Sequence, residues 1–256
     1  MTVTGVQRKL SLHLEKTGGA SRLTIVGLWG GYILKPPVEA YPELPEIEHA
    51  TLHLAEAYGI PCAPHGLIRL ASGEFSFISR RMDRTPAGGK LAMEDFCQLD
   101  GRVTEDKYKG SLERCGKIIA RWSSRPGLDA VDFWERAVFC WLTGNADMHL
   151  KNFSLLGREA GFVLAPTYDL VATTLMLPQD QEETALTLNG KKNKIGRADF
   201  IALGRTLGLA DKAVTRLLDK AAQAAALLAP ALATCPLTDA TRRRLASLIA
   251  ARTAAL

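Results

Sequence analysis

The sequence has no apolar run as long as the roughly 18–20 residues that a membrane span requires. Its first residues, MTVTGVQRKLSLHLEK, do not place an apolar segment after a basic one, so the pattern of a signal peptide is absent as well. The five cysteines include no C-x-x-C pair, which argues against a disulfide framework and against a zinc site. No internal repeat is present. These absences predict a cytoplasmic globular protein with reduced, mostly buried thiols and no membrane contact.

The composition provides enough apolar residues for a core. The charged residues are unevenly placed along the chain. Hydrophobic residues make up 47% of the 256 residues, and charged residues make up 23%. The net charge is +5, yet residues 191–256 alone hold 12 Lys or Arg and 4 Asp. A basic surface can attract nucleic acid or an acidic protein. Because these charges alternate with Leu and Ala at helical spacing, they are more typical of solvated helix faces.

The spacing of hydrophobic residues changes from strand-like to helix-like near residue 90. Before this point, short β-branched or alternating runs separated by glycine turns predict strands at 10–14, 23–28, 32–34, 67–70 and 75–78. One helix is predicted among them, over 45–58, because Pro45 suits a helix start and Gly59 a helix end. These segments predict a sheet-rich first lobe, which we assign to residues 1–85.

After residue 90 helical periodicity dominates. The predicted helices span 112–123, 131–142, 197–207, 211–228 and 239–254, and two short strands are predicted at 153–156 and 162–164. A small sheet with one helix, followed by a larger helical part, is an α+β arrangement of two lobes, the second at 86–256. Ligands often bind between such lobes, so the residues that carry the chemistry are expected to face a cleft from both sides.

An unusually polar loop, residues 144–153 with the sequence GNADMHLKNF, lies between a predicted helix and a predicted strand. Asp169 follows Asn152 by 17 residues, just beyond a predicted hairpin that would bring its two ends together. Asp147, Asn152 and Asp169 occur in the order used by protein kinases, in which the first residue accepts the hydroxyl proton and the others hold magnesium. Hard oxygen ligands suit Mg²⁺. The alternative is a turn capped by Asn and Asp side chains.

The first lobe offers a cation for the same site. Lys35 ends an apolar run and precedes two prolines, from where it could reach an anionic phosphate; taken alone, it is more simply a surface strand end. Glu48, near the start of the following helix, is a candidate partner for Lys35, as in kinases, or a carboxylate favoured by the helix dipole. Gly5 precedes the first strand, but the G-x-G-x-x-G and GK[ST] patterns are absent.

Several further motifs occur in the order of a known family. They are GVQRKLSL at 5–12, YILKP at 32–36, LPEIE at 44–48, RMDR at 81–84, MEDFCQ at 93–98, residues 144–155, YDL at 168–170 and LTLNGK at 186–191. On these residues the chain resembles, over essentially its whole length, the HipA-like serine/threonine kinases. These are toxins of bacterial type II toxin–antitoxin modules, and they include the short HipT type. The resemblance implies a bilobal protein-kinase-like fold, with a small sheet-rich lobe and a larger helical lobe.

The resemblance also implies a role for each matching position. Asp147 would be the catalytic base, and Asn152 and Asp169 would be the magnesium ligands. The other nucleotide-site residues implied in this way are Thr4, Gly5, Val6, Gln7 and Arg8 of the phosphate loop, Lys35, His149 and Lys151 near the phosphates, Arg80, Arg81 and Met82 at the adenine, and Tyr168 beside Asp169. Asp83 would approach the ribose. Thr2 and Thr4 would be sites of autophosphorylation, which adds roughly two negative charges.

By the same resemblance, the chain would transfer the γ-phosphoryl group of ATP, with Mg²⁺, to Ser or Thr of a protein. Members of the family act on aminoacyl-tRNA synthetases. The expected partner is a helix-turn-helix antitoxin of the HipB type, through which alone the chain would contact DNA. Longer family members carry an additional N-terminal subdomain, so either a separate HipS-like protein supplies it here, or the reading frame is truncated or its start misplaced.

Two other functions remain open. The chain could be a truncated, non-catalytic remnant that acts as a scaffold for an antitoxin and DNA; the presence of Lys35 together with Asp147, Asn152 and Asp169 argues against this function. A small-molecule phosphotransferase of the aminoglycoside-kinase kind would also use an Asp, a nearby Asn and a later Asp. It would not explain the motifs at 5–12 and 93–98.

Overall fold

A computed structural model of the chain describes residues 8–17, 20–27, 29–85 and 87–256. Thr2, Thr4 and the predicted phosphate-loop residues Gly5, Val6 and Gln7 lie outside the described residues. Within the ranges that are described, no helix has a stretch long and apolar enough to cross a membrane.

The first part of the chain forms a five-stranded antiparallel sheet. Its strands are β1 (Leu10–Thr17), β2 (Ala20–Ile25), β3 (Tyr32–Lys35), β4 (His65–Arg69) and β5 (Phe75–Arg80), in the spatial order β2-β1-β3-β5-β4. Each strand predicted from the apolar runs is present. The register places Lys35, at the end of β3, opposite Phe77 of β5, and the Lys35 Nζ lies 5.4 Å from the centroid of the Phe77 ring.

Helix α1 (Leu44–Tyr58) connects β3 to β4 and packs on the sheet. Pro45 stands in its first turn, and Gly59 ends it with a φ of 95°, a left-handed conformation that glycine adopts without strain. The predicted start and end of this helix are thus confirmed. Just before α1, the Glu43 carboxylate accepts a 2.7 Å hydrogen bond from the N–H of Thr238 in the C-terminal part. The helix therefore joins the sheet to the rest of the molecule.

Three short strands form a second antiparallel sheet. They are β6 (Met93–Asp95), β7 (Ser154–Arg158) and β8 (Gly161–Leu164), in the order β6-β7-β8. The hairpin of β7 and β8 is the predicted one, whereas β6 is not predicted because three residues are too few to show a period. Helix α2 (Phe96–Leu99) follows β6 directly. Asp95 caps this helix: its carboxylate accepts from the Gln98 N–H, and the Gln98 side chain accepts from the Asp95 N–H.

The rest of the chain is mostly helical. Its helices are α3 (Leu112–Trp122), α4 (Pro126–Thr143), α5 (Arg197–Thr206), α6 (Asp211–Ala221), α7 (Ala224–Thr234) and α8 (Asp239–Ala254), with 3-10 turns at Thr104–Asp106, Leu150–Asn152 and Thr173–Leu175. The prediction of one helix over 211–228 is wrong, because the chain turns at 222–223. The turn lets α6 pack against α4 and α5 while α7 packs against α1 and α8.

A continuous hydrophobic core extends from α1 through α4 to the C-terminal helices. Trp134, Phe139 and Trp141 of α4 are among its largest buried side chains. All five cysteines are free thiols, and four of them are buried, as predicted. A small sheet-rich part followed by a larger helical part confirms the predicted α+β class.

Candidate active site

A cleft of about 840 Å³ lies between the sheet and the helical part. The residues singled out in the sequence that line it are Lys35, Glu48, Arg80, Arg81, Met82, Asp83, Asp147, His149, Lys151, Asn152, Tyr168 and Asp169. Arg8 is exposed and does not line the cleft, whereas the adjacent Lys9 does. The fold thus brings polar residues from distant parts of the chain to one cavity.

Lys35 joins two carboxylates that come from different parts of the chain. Its Nζ lies 2.5 Å from Oε1 of Glu48 on α1, so the predicted pair is confirmed, and it also contacts Oδ1 of Asp169. Lys35 is 4% exposed and Glu48 is fully buried. Burial opposes the charge of Lys35, but the two carboxylates outweigh it and raise the pKa of Lys35. Burial raises the pKa of Glu48 to about 7, against the lowering effect of Lys35.

Asp169 has a left-handed backbone conformation, with a φ of 57°, which residues other than glycine adopt infrequently and Asp and Asn adopt most readily. In this conformation its Oδ1 contacts Lys35, and its Oδ2 lies 3.5 Å from the Nζ of Lys9. Burial disfavours the carboxylate, but the two lysines prevail and hold the pKa of Asp169 below its usual range. Asp169 is therefore an anion at neutral pH in a backbone geometry of the kind found at functional sites.

The loop after α4 is held in place by its own polar side chains. The Oδ1 of Asn145 accepts a 3.2 Å hydrogen bond from the N–H of Asp147, and the Nδ2 of Asn152 donates to the Asp147 carbonyl at 3.0 Å. The Oγ1 of Thr173 accepts from a backbone N–H of the same loop. Since Thr173 lies shortly after Asp169, these bonds tie the loop of Asp147 to the segment of Asp169.

Asp147 is half-buried, and one of its oxygens has a partner. The hydroxyl of Tyr108 donates a 2.6 Å hydrogen bond to Oδ1 of Asp147. Burial raises the pKa of Asp147, while the Tyr108 hydrogen bond and the charge of Lys107 act in the opposite direction. A carboxylate with one oxygen fixed, a raised pKa and access to a cleft is suited to accept the proton of a hydroxyl group.

His149 and Lys151 differ in the charge they bring to the cleft. His149 is 6% exposed, and its ring packs edge-on against Tyr108 with the centroids 4.9 Å apart. Burial, assisted by Lys107, lowers the pKa of His149 to about 4, so its imidazole is neutral at neutral pH. The Nζ of Lys151 lies 2.8 Å from Oδ2 of Asp95. Positive charge for an anionic ligand therefore comes from Lys151 and not from His149.

Arg80, Arg81 and Met82 lie where the chain leaves β5. The Arg81 N–H donates to the carbonyl of Gly31 at 2.8 Å. The neighbouring Asp83 is buried, and the guanidinium groups of Arg81 and Arg84 bind both of its carboxylate oxygens. Each oxygen can accept a further hydrogen bond, so the contact of Asp83 with a ribose stays a prediction.

Tyr168 supports the residues next to it rather than facing the cleft with a free hydroxyl. Its OH lies 2.5 Å from the Oγ of Ser154 and donates to the carbonyl of Lys151 at 3.0 Å. These bonds connect β7, the turn that carries Lys151 and Asn152, and the segment that carries Asp169.

Asn152 and Asp169 offer an amide oxygen and a carboxylate to a metal ion. Across the described ranges, no group of three or more His, Cys, Asp or Glu side chains is arranged to hold a metal ion. Such a pair fits Mg²⁺, because protein sites usually hold this ion through one or two carboxylates while phosphate oxygens and water complete its coordination. The same pair does not fit a structural zinc ion.

Some residues that line the cleft were not predicted from the sequence to belong to the site. Tyr108 and Thr173 gave no sequence signal, because each acts through a contact with a residue far along the chain. Asp95 had a signal, the Asp-x-x-Gln capping pattern at 95–98, which identifies a helix start. That this cap also binds Lys151 follows only from the pairing of β6 with β7.

Known proteins with similar sequences include kinases. The family model described as HipA-like C-terminal domain matches residues 1–228. The protein Y4mE of Sinorhizobium fredii, named as a candidate kinase, is 32% identical over 241 residues, covering 88% of this chain and 56% of that protein. The serine/threonine-protein kinase toxin HipA of Shewanella oneidensis is 26% identical over 201 residues, covering 71% of this chain and 45% of that protein. The chain spans about half the length of these relatives.

A solved structure has the same fold. A chain in the complex of HipA, HipB and operator DNA from the toxin–antitoxin system of S. oneidensis matches with a TM-score of 0.82 at 23% identity. The match covers 99% of this chain and 64% of that chain. It includes both the sheet and the helical part, and it confirms the predicted bilobal kinase-like architecture.

Proposed function

The chain belongs to the HipA-like C-terminal domain family, and from this premise we propose that it is an ATP-dependent serine/threonine protein kinase. The observation that carries the proposal is that Lys35 binds both Glu48 and Asp169 in the cleft that Asp147 and Asn152 also line. Relatives named as kinases support phosphoryl transfer at the level of the family. In the proposed kinase, residues 1–85 and 86–256 are the two lobes that enclose the nucleotide.

The proposed nucleotide site has an apolar end and a cationic end. Ile33, Ala63 and Met82 line the cleft near the segment that follows β5, where a purine base would be sheltered from water. Lys35 and Lys151 supply positive charge for the phosphates at the other end. Because Glu48 and Asp169 already hold Lys35 in place, the ammonium group would need little reorganisation when the phosphates bind.

In the proposed reaction, Asp147 accepts a hydrogen bond from the substrate hydroxyl and then its proton. The hydroxyl oxygen forms a bond to the γ-phosphorus while the bond from that phosphorus to the leaving oxygen of ADP breaks. Tyr108 keeps the Asp147 carboxylate oriented during this step. Asn152 and Asp169 would hold Mg²⁺, which neutralises charge on the phosphate oxygens. Most of the acceleration would then come from positioning and charge, the usual situation in phosphoryl transfer.

The substrate and the partners are inferred from the family. The S. oneidensis structure is a complex of HipA with HipB and operator DNA. By analogy, we propose that a helix-turn-helix antitoxin of the HipB type binds this chain, and that the chain meets DNA only through it. The proposed substrate is a Ser or Thr of a protein, with an aminoacyl-tRNA synthetase as the first candidate.

The test is transfer of radioactive phosphate from Mg-ATP by the purified chain, compared with the Asp147→Asn variant. Loss of the general base should lower the transfer rate at least about hundredfold while ATP binding persists. Asp211→Asn, an exposed aspartate on α6, is the matched control and should retain full activity. Absence of transfer by the unmodified chain would favour the scaffold alternative, and transfer only to aminoglycoside-like small molecules would favour the small-molecule phosphotransferase.

We also propose that the kinase phosphorylates its own Thr2 or Thr4. Roughly two added negative charges on the segment before Lys9 would oppose nucleotide phosphates in the cleft. Intact-mass and peptide analysis after incubation with Mg-ATP should find phosphate on one of these residues. An unmodified N-terminal peptide from a chain that phosphorylates other proteins would refute this part alone.

A further inference from the structure

Arg136, on α4, is a buried cation with unmet hydrogen-bonding capacity. The residue is 2% exposed. One terminal nitrogen donates a 2.9 Å hydrogen bond to the carbonyl of Ala165. Among the described residues, its Nε and its other terminal nitrogen have no hydrogen-bond partner and are shielded from solvent.

Such an arrangement is unfavourable without a further acceptor. A guanidinium group presents five N–H donors and stays protonated in proteins, so it cannot relieve burial by losing its charge. Burial lowers the pKa of Arg136, which agrees with a charge that lacks compensation. Leaving buried donors of a charged group unpaired is costly, and native structures usually satisfy them with protein, water or ligand.

Arg136 lines a cavity of about 300 Å³ on which two other arginines converge. The other residues of its wall are Pro61, Arg125, Asp132, Arg158, Val163, Leu164, Ala165 and Pro166. Arg158, at the end of β7, is exposed and has no ion pair within the described chain. Arg125 shares its charge with Asp129, at 2.9 Å, and more distantly with Asp132, at 3.8 Å. With Asp129 neutralising Arg125, the guanidinium groups of Arg136 and Arg158 face one lining carboxylate, Asp132, which leaves the cavity electropositive.

We propose that this cavity is a binding site for a small phosphate-bearing anion. Guanidinium groups bind phosphate through charge-assisted N–H···O bonds, and the Nε and the second terminal nitrogen of Arg136 hold donors that no described residue uses. The exposed Arg158 adds positive charge on the solvent side of the cavity. The cavity is smaller than the cleft proposed for the nucleotide and has room for a phosphate group.

The site is distinct from the cleft but shares a wall with it. Backbone hydrogen bonds pair the segments that contain Pro61 and Thr167: the Thr167 N–H donates to the Pro61 carbonyl, and the Ala63 N–H donates to the Thr167 carbonyl. Pro61 lines the small cavity, whereas Ala63 and Tyr168 line the cleft. An anion bound to Arg136 would thus brace the point where the sheet part meets the segment leading to Asp169. This inference goes beyond the proposed kinase function and does not depend on it.

Calorimetric titration of inorganic phosphate into the full chain, at constant ionic strength set with chloride, tests the proposal. The unmodified chain should bind phosphate saturably, and Arg158→Ala should weaken the binding about tenfold. Arg136→Lys, which keeps a charge but removes the planar guanidinium group and its Nε donor, should weaken it at least as much. Arg216→Ala, an exposed arginine on α6, is the matched control and should bind as the unmodified chain does. Circular dichroism and thermal unfolding verify the fold of each variant.

Phosphate has a competing site in the cleft, so a variant and a peptide measurement distinguish binding in the cleft from binding in the small cavity. Lys151→Met, which removes a cation of the cleft, should leave the affinity unchanged, and phosphate should slow hydrogen exchange in peptides covering 158–167. If Arg136→Lys fails to fold, Arg158→Ala decides, since its side chain is exposed. The proposal is overturned if the unmodified chain shows no saturable binding. Binding that is lost in Lys151→Met but kept in Arg158→Ala would overturn it equally.

Discussion

The hydroxyl of Tyr108 donates a 2.6 Å hydrogen bond to Oδ1 of Asp147, although the two residues are 39 positions apart. The same tyrosine packs its ring against His149. Tyr108 therefore contacts two residues of the loop after α4 and acts as a positioning residue for the proposed base.

Replacing Tyr108 by Phe should lower kcat about tenfold with little change in KM for ATP, because the Asp147 carboxylate loses the hydrogen bond that orients it. That bond also lowers the pKa of Asp147, so its removal should raise this pKa. Since only the ionised carboxylate accepts a proton, the acidic limb of the pH profile of kcat should move to higher pH. Tyr41→Phe is the control, and equal profiles for all three proteins would contradict the assignment.

Replacing Lys35 by Met should destabilise the fold by about 3–5 kcal/mol, because Glu48 would be left as a buried carboxylate without its partner. Urea unfolding measures the effect. The double variant Lys35→Met/Glu48→Leu should recover most of the loss, since an apolar pair can replace a buried ion pair. Lys117→Met, at an exposed position on α3, should change the free energy of unfolding by less than about 0.5 kcal/mol. A single variant as stable as the unmodified chain would show that the pair is not needed for stability.

The buried His149 should make the protein less stable in mild acid. Burial and Lys107 lower its pKa to about 4 from an ordinary value of 6.5, so the unfolded chain binds more protons between these values. The free energy of unfolding should therefore fall as the pH drops through this range, by up to about 1.4 kcal/mol per pH unit from this group. Urea unfolding of His149→Gln should show a correspondingly smaller pH dependence, whereas His13→Gln, on the exposed face of β1, should keep the original one.

Two glycines with the same backbone angle should differ in their tolerance of a side chain. Gly144 and Gly190 both have a φ of 75°. A Cβ at Gly144 would collide with Thr174 and, at 2.6 Å, with Leu248, whereas a Cβ at Gly190 would meet no atom within 4 Å. Gly190→Ala should therefore cost about 1–2 kcal/mol, the strain of the left-handed conformation alone. Gly144→Ala should cost more and should also lower kcat, because the loop of Asp147 follows directly; equal losses in urea unfolding would refute this difference.

Local sequence patterns predicted the elements whose signal lies within a few neighbouring residues. The strands of the first sheet, the helix between Pro45 in its first turn and the capping Gly59, and the polar loop at 144–153 were all predicted, because alternation, turn residues and composition act over a few neighbouring positions. The break between α6 and α7 was not, since it depends on the different helices against which the two segments pack. The assignment of site residues to catalysis and nucleotide binding stays a prediction for the kinase assays.

By itself the sequence determined the order of the elements, the α+β class and the residue types available for phosphoryl transfer. Only the tertiary structure decided which of them meet. Lys35 reaches Asp169 across 134 positions, and Arg136 faces its cavity because β8 and the loop before β4 pack beside α4. The physical reason is that periodicity arises from each residue's immediate neighbours, whereas a contact between distant side chains exists only after whole elements have packed and excluded water between them.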